Sequence, residues 1–331
     1  FKQKTAYEIP KRDWSSDVCS SDLQLAAIFA RPGEASAGVV VGIGDDAALI
    51  APTRAPLAVT TDIAIEGVHF SFDWSTPFEI GSKIATANLA DICAMGGWPQ
   101  YLVVATGIPK NSEDVIFEIA RGIAAEADRV GARVIGGDLS QSEKAMITIT
   151  ALGSVDKPIL RSSAHVGDSV SISAITGWSR AGQLIRESQD KELTNSIAGI
   201  KALSQFSQPQ PDYEVMKRIA QSATAMCDIS DGILRDASRI AEASGVTIEC
   251  DPDLIEKVPG FGELVEIAKK IGVDPIELFL QSGEEHELLF TGPAPTDSVF
   301  GSVIGRVIER ADSPIVIKGR ALPENLGWAH F

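Results

Sequence analysis

Five short acidic segments, each set beside glycine or a hydroxyl residue, constrain this chain more than any other feature. They read GIGDDAALI (Gly42 to Ile50), VTTDIAIEGVHF (Val59 to Phe70), ANLADICAMGG (Ala87 to Gly97), VIGGDLS (Val134 to Ser140) and MCDISDGILRD (Met226 to Asp236). A fold that gathers Asp46, Asp62, Asp91, Asp138, Asp228 and Asp231 must place cations among them, because bare carboxylates repel one another. Mg²⁺ takes octahedral oxygen ligands and shares them with substrate phosphates. A divalent metal and a polyphosphate are therefore the natural occupants of such a site.

Taken singly, each segment has a plainer account. GIGDDAA is an ordinary Gly-Asp turn that presents two carboxylates at a strand end. TTD caps a turn as readily as it ligates a metal, and His69 in EGVHF can be a satisfied surface histidine. GGD closes a strand, and its glycines admit phosphate close to backbone N–H groups. DISDG suits a helix N-cap. One shared site accounts for all of them more economically than separate turns do.

Composition narrows the partners. A formal net charge of −16 argues against duplex nucleic acid, since neutralisation of phosphates by Lys and Arg dominates that binding. A phosphate substrate is then received by metal rather than by a basic surface. No apolar run approaches the ~20 residues of a membrane-spanning helix. The four cysteines form no CxxC pair, which speaks against a zinc site or disulfide framework. Free thiols and no evident signal peptide give the expectation of a cytoplasmic protein. The phosphate-loop, dinucleotide and GxSxG signatures are missing, so any use of ATP runs through a carboxylate–metal cage.

At 331 residues the chain is about two domains long. Residues 1–23, FKQKTAYEIPKRDWSSDVCSSDL, lack periodicity and read as a non-native leader similar to a translated sequencing-adapter scar. Beyond them strands and helices alternate. Strands are expected at Val39 to Val41, Leu57 to Thr60, Val134 to Ile135, Ala145 to Val155, Asp168 to Ile175, Val246 to Cys250, Glu287 to Thr291 and Val303 to Ile308. Helices are expected at Phe78 to Met95, Glu113 to Val130, Ser179 to Glu187 and Asp231 to Ala243. Gln189 to Gln210 reads as a polar surface connection holding a short helix. Lys157-Pro158 interrupts the pattern and marks a boundary, and the order fits mixed sheets flanked by helices.

In this order, GIGDDAALI, TTDIAIEGVHF, NLADICAMGG, IGGDLS, LRSSAHVGD, DISDGILRD, SGEEHELLFT, IGRV and the terminal GWAHF resemble the thiamine-monophosphate kinase family of the aminoimidazole ribonucleotide synthetase-like superfamily. The resemblance runs from about Leu25 to Phe331. It implies an α+β (mixed α/β) fold of two domains, an ATP- and metal-binding domain at 24–155 and a domain at 156–331 that completes the cleft. It further implies a homodimer and transfer of the ATP γ-phosphoryl group to thiamine phosphate, giving thiamine diphosphate, assisted by several Mg²⁺ ions.

By the same resemblance Asp46, Thr61, Asp62, Asp91, Asp138, Asp228 and Asp231 match metal-binding positions. Gly137, Asp138, Arg161 and Ser230 match ATP-contacting positions, and His69, Glu284 and Trp328 match acceptor-contacting positions. The acceptor is an ionised phosphate oxygen, so no general base is required and positioning plus charge neutralisation carry the catalysis. Arg161 suits a forked phosphate contact, Trp328 a stack on a cationic ring, and Glu284 the offset of its charge. Two segments depart from the family pattern. Where the family reads GGEDYEL this chain has Ser282-Gly283-Glu284-Glu285-His286-Glu287-Leu288, and GWAHF lacks the acid common before His330. Other readings are a synthetase or ligase of the same superfamily that phosphorylates an amide or acyl oxygen, and a non-catalytic metal- or nucleotide-binding module, for which no EF-hand spacing is present.

Overall fold

The computed structural model describes residues 24–25, 27–29, 38–43, 47–297 and 300–327. Residues 1–23 and, among the expected site residues, Asp46 and Trp328 lie outside them. Strands β1 (Val39–Val41) and β2 (Leu49–Ile50) form a small antiparallel pair. A four-stranded sheet follows, built from β3 (Leu57–Ile65), β4 (Trp98–Ile108), β5 (Arg133–Gln141) and β6 (Met146–Ser154) in the order β3-β6-β4-β5. Only β4 and β5 run parallel; the other pairs are antiparallel.

Helices α1 (Pro77–Ala94) and α2 (Glu113–Val130) cover one face of this sheet. Helix α1 starts at a capping box, with Thr76 Oγ1 accepting from Glu79 N and Glu79 Oε2 accepting from Thr76 N. Two orphan N–H groups are satisfied in this way. The helices cross at Gly81 and Gly122. A Cβ at Gly81 would lie 2.0 Å from the Ile119 carbonyl oxygen, and one at Gly122 2.0 Å from that of Phe78. Only glycine permits that approach, which draws α1 and α2 against each other.

The second sheet has six strands: β7 (Ser169–Ile172), β8 (Ala225–Asp228), β9 (Thr247–Cys250), β10 (Leu288–Gly292), β11 (Ser302–Ile308) and β12 (Ile315–Ile317). Their order is β12-β9-β11-β7-β10-β8, antiparallel except for β12 beside β9. The helices of this half are α3 (Trp178–Ser188), α4 (Lys191–Asn195), α5 (Ile197–Ser207), α6 (Tyr213–Ile219), α7 (Ile233–Ser244), α8 (Pro252–Ile255), α9 (Phe261–Ile271) and α10 (Pro275–Gln281). Along β10 the side chains alternate between two cores. Leu289 packs with α3, α7, α9 and α10. Leu288 and Phe290 face the other way, into a core shared with α6 and with α1 of the N-terminal half. The two sheets therefore sandwich α1, so a residue on that helix can face both halves.

Several expectations shift. The strand expected at Leu57 to Thr60 continues to Ile65, and β5 continues to Gln141, so TTD and GGD lie within strands rather than at turns. The strand expected at Asp168 to Ile175 shortens to Ser169–Ile172. The Gln189 to Gln210 connection holds two helices, split at Ser196, which ends α4 and accepts from Gly199 N to start α5. Strand β4 was not anticipated; Pro99 and Gly107 disguise it, and as an interior strand it lacks a polar face. Among the described residues no helix is long and apolar enough to cross a membrane.

Candidate functional site

Alternation along β3 decides which side chains enter the site. Ala58, Thr60, Asp62 and Ala64 point toward the helices, while Leu57, Val59, Thr61 and Ile63 point out. Asp91 lies near the C-terminal end of α1 and meets β3 there, accepting a 2.6 Å hydrogen bond from Thr60 Oγ1 to its Oδ2. Asp228 closes β8, opposite Leu288 of β10. Its carboxylate is buried and takes a 3.1 Å hydrogen bond from His286 Nδ1.

These groups feel one another. Burial above all, joined by the charges of Asp228 and Asp62 and opposed by the Thr60 hydrogen bond and His286, pushes the Asp91 pKa up to about 7. Burial also raises Asp62, with Asp228 acting the same way and His286 and His69 acting against it. His286 is raised even though burial disfavours its charged form, because Asp228, Glu284 and Asp91 surround it with negative charge. Three carboxylates from β3, α1 and β8, of which Asp228 is buried, thus share one partly buried patch at a mutual electrostatic cost. A counter-cation relieves that cost.

The DISDG turn is held differently from a simple cap. Asp236, in the first turn of α7, accepts at Oδ2 from the backbone N–H groups of Ser230 and Asp231, each at 3.1 Å. Arg239 bridges Asp231 at 2.5 Å and Asp236 at 2.7 Å. Asp231 therefore does not cap the helix; an arginine one turn beyond Asp236 neutralises it. Burial lifts Asp236 to about 7, helped by the charge of Asp228 and opposed by Arg239. The C-terminal segment also reaches this turn, since a Cβ at Gly327 would stand 2.0 Å from the Asp231 carbonyl oxygen.

Glu284 follows in the loop before β10. Its N–H donates to the Ser230 carbonyl at 3.0 Å, and its carboxylate pairs with Lys83 of α1 at 3.0 Å. His69 sits in the turn after β3, where its Nδ1 accepts from Ile65 N at 3.1 Å. Beside the carboxylate patch is a cleft of 560 Å³ lined by Thr60 and Asp91 from one half and by Arg161, Ser162 and Cys227 from the other. Arg161 is exposed there, and its carbonyl is fixed by the Ser244 hydroxyl at 2.9 Å.

Two expected metal ligands stand apart within this chain. Thr61 points to the outer face of the sheet, donating to the Ile149 carbonyl and accepting from the Thr150 hydroxyl, both at 3.1 Å. Gly137 pairs with Val104 and Asp138 with Ala105 on edge strand β5, with two strands between them and β3. Asp138 is exposed, and its carboxylate accepts from the Ser140 hydroxyl at 3.4 Å. Among the described residues no three His, Cys, Asp or Glu side chains converge closely enough to hold a metal ion by themselves. That agrees with the donor set. Mg²⁺ is bound through one or two carboxylates, with water and substrate phosphate completing the shell, rather than by an all-protein cage. Buried carboxylates with a threonine hydroxyl alongside are hard oxygen donors suited to it.

Thr60, Lys83, Asp236, Arg239 and His286 were not singled out from the sequence as site residues. For Thr60 the signal was present, because period-two alternation puts it on the face of Asp62 and Thr61 on the other. For Asp236 and Arg239 the three-residue helical spacing was visible.

Comparison with known proteins gives consistent relatives. The N-terminal domain of AIR synthase related protein matches residues 44–155 and its C-terminal domain residues 166–316. The chain is 34% identical over 294 residues to the thiamine-monophosphate kinase of Aquifex aeolicus, covering 87% of this chain and 92% of the relative. It is 34% identical over 302 residues to that of Mycobacterium tuberculosis, covering 89% and 87%. Among solved structures, AaThiL complexed with AMPPCP and TMP superposes with a TM-score of 0.77 at 30% identity, over 95% of this chain and 97% of that one. The thiamine-monophosphate kinase of Stenotrophomonas maltophilia gives 0.78 at 28%, over 90% and 96%. The hydrogenase maturation protein HypE in complex with ATP, at 17% identity and a TM-score of 0.68, shares the fold.

Proposed function

The chain belongs to the thiamine-monophosphate kinase family, and we propose a division of labour among its residues for that chemistry. It is an ATP-dependent kinase that phosphorylates thiamine phosphate. The observation that carries the assignment of its centre is the patch of Asp62, Asp91 and Asp228, drawn from three elements and both halves, beside the cleft that Arg161 overlooks.

Transfer between two phosphates has no proton to remove from the nucleophile, so the barrier is the approach of two polyanions. Asp62, Asp91 and Asp228 would hold Mg²⁺ together with water and substrate phosphate, and the ion would supply charge neutralisation and alignment for both phosphates. Thr60 orients Asp91 and favours its charged form, and His286 orients Asp228 through its ring nitrogen. Arg161 offers a forked contact to the nucleotide phosphates. The Ser230-Asp231 turn, fixed by Asp236 and Arg239, presents backbone and hydroxyl groups to the nucleotide. His69 and Glu284 flank the acceptor, with Glu284 offsetting its ring charge. Asp46, Thr61, Gly137, Asp138 and Trp328 keep the metal-, ATP- and acceptor-binding roles that the family resemblance implies.

We take residues 24–155 and 156–331 as the two domains, and a homodimer as the working unit. The outer face of the four-stranded sheet exposes Leu57, Val59, Ile63 and Met146 together. Contiguous apolar sheet surface of this kind calls for a cover, and a second copy of the same face provides one.

The test is direct. The protein is incubated with ATP, thiamine phosphate and a range of Mg²⁺ concentrations, and thiamine diphosphate is sought by chromatography. Product that depends on all three is expected. No product at any Mg²⁺ concentration overturns the reading.

A further inference from the structure

Lys83 has no part in the chemistry above, yet it is a largely enclosed cation paired with Glu284. Its side chain is only 12% exposed. The ammonium donates to Glu284 Oε2 and to the Phe206 carbonyl, both at 3.0 Å, and stands 4.5 Å from the centre of the Phe206 ring. Trp74 backs the same ring, with centroids 5.9 Å apart. A carboxylate, a carbonyl and an aromatic face closing on one positive charge are the means by which proteins hold organic cations. Lys83 and Trp74 come from the N-terminal half, and Glu284 and Phe206 from the C-terminal half.

We propose that Lys83 is an internal occupant of the acceptor's cation subsite, and that the positively charged ring of the acceptor displaces its ammonium from Glu284 and from the face of Phe206. This rests on the kinase reading and on Glu284 as an acceptor contact. A carboxylate facing the gap between two halves is costly without a partner, and Lys83 neutralises it while the site is free of acceptor. On binding, Glu284 exchanges one cation for another, so the subsite keeps its charge balance. The long, flexible lysine stem lets the displaced ammonium swing away without moving α1. An uncharged ring of the same shape cannot replace the broken ion pair. Lys83 thereby sets specificity by competition, rejecting neutral look-alikes rather than adding attraction to the right substrate.

The test compares Lys83→Met, which keeps the apolar stem, and Lys83→Arg with the unaltered enzyme. Relief of competition from a half-buried ion pair predicts that Lys83→Met lowers the KM for thiamine phosphate by about three- to tenfold. The KM for ATP stays within about twofold, and Lys83→Arg behaves like the unaltered enzyme. An unchanged or raised acceptor KM in Lys83→Met overturns the proposal and makes Lys83 a strut between the halves. Should Lys83→Met fail to fold, calorimetry on the unaltered protein decides instead. The uncharged thiophene analogue of thiamine phosphate should bind at least about tenfold more weakly than thiamine phosphate, and equal binding sinks the idea. Failure of the kinase reading itself shows separately, as absence of turnover in the unaltered enzyme.

Discussion

Thr60 and Asp91 are tied by a 2.6 Å hydrogen bond that runs from a strand of the sheet to the helix lying on it. The bond favours the ionised carboxylate, against burial and against the charges of Asp228 and Asp62, which together hold Asp91 near 7. A ligand that must be an anion at neutral pH is therefore balanced by one hydroxyl, with the charge of His286 acting the same way.

Thr60→Val removes that hydroxyl at nearly constant volume. Asp91 then rises above its present value, and a larger fraction is protonated at pH 7. The Mg²⁺ concentration for half-maximal turnover should increase about ten- to a hundredfold at pH 7, the scale for losing a partner that orients a metal ligand, and by less at pH 9. An increase that is equal at both pH values shows that Thr60 acts by shape alone.

Asp91→Asn keeps an acceptor for Thr60 while removing the charge. Turnover should fall by a factor on the order of 10²–10³, and the melting temperature should hold or rise because a buried like charge is gone. Near-normal turnover makes Asp91 a structural residue.

Asp236→Ala leaves the N–H groups of Ser230 and Asp231 without their acceptor and Arg239 with a single partner. A loss of about 2–4 kcal/mol in denaturant unfolding is expected for removing a buried, multiply bonded carboxylate. The KM for ATP should rise as the turn loosens. A loss below ~0.5 kcal/mol would show that the turn is held by its flanks.

Glu285 gives a pH signature in stability. Its Oε1 accepts from Gly177 N, Ser179 N and the Ser282 hydroxyl, but complete burial outweighs them and lifts its pKa from 4.5 to about 7. The folded state thus binds this proton more tightly than the unfolded chain does. Its contribution is fully present below about pH 4.5, is lost as pH rises towards 7, and is flat beyond. Glu287, also near 7, acts in the same direction. Melting curves between pH 5 and 8 should show Glu285→Gln with a shallower decline than the unaltered protein, and parallel declines would exclude the assignment.

Leu57→Asp combined with Ile63→Asp places charge on the exposed sheet face. If the proposed dimer forms through this face, sedimentation should show a dimer for the unaltered chain and a monomer for the double variant. A double variant that stays dimeric places the contact elsewhere.

Much of this site could be read before any coordinates, and the reasons are local. Helices α1 and α2 declared themselves through apolar spacing and the glycines that stop them, and period two along β3 separates Thr60 and Asp62 from Thr61. What the sequence hid depends on partners distant in the chain. Asp231 looked like a helix cap because its neutralising Arg239 counts only once α7 has formed. His286 looked like a departure from a motif, and its meaning comes from Asp228 on the neighbouring strand, 58 residues away. Strand β4 escaped notice because, as an interior strand between β5 and β6, it shows no polar alternation.

One consequence follows from α1 being gripped at Gly81 and Gly122 and carrying both Lys83 and Asp91. These residues are eight positions apart on one unbroken helix, a rise of about 12 Å. The subsite that Lys83 fills until the acceptor's ring displaces it and the Asp91 carboxylate that serves the transferred charge are thus set along a single rigid gauge. An acceptor whose ring and phosphate are spaced too widely or too narrowly fails against that fixed length, however well either end fits.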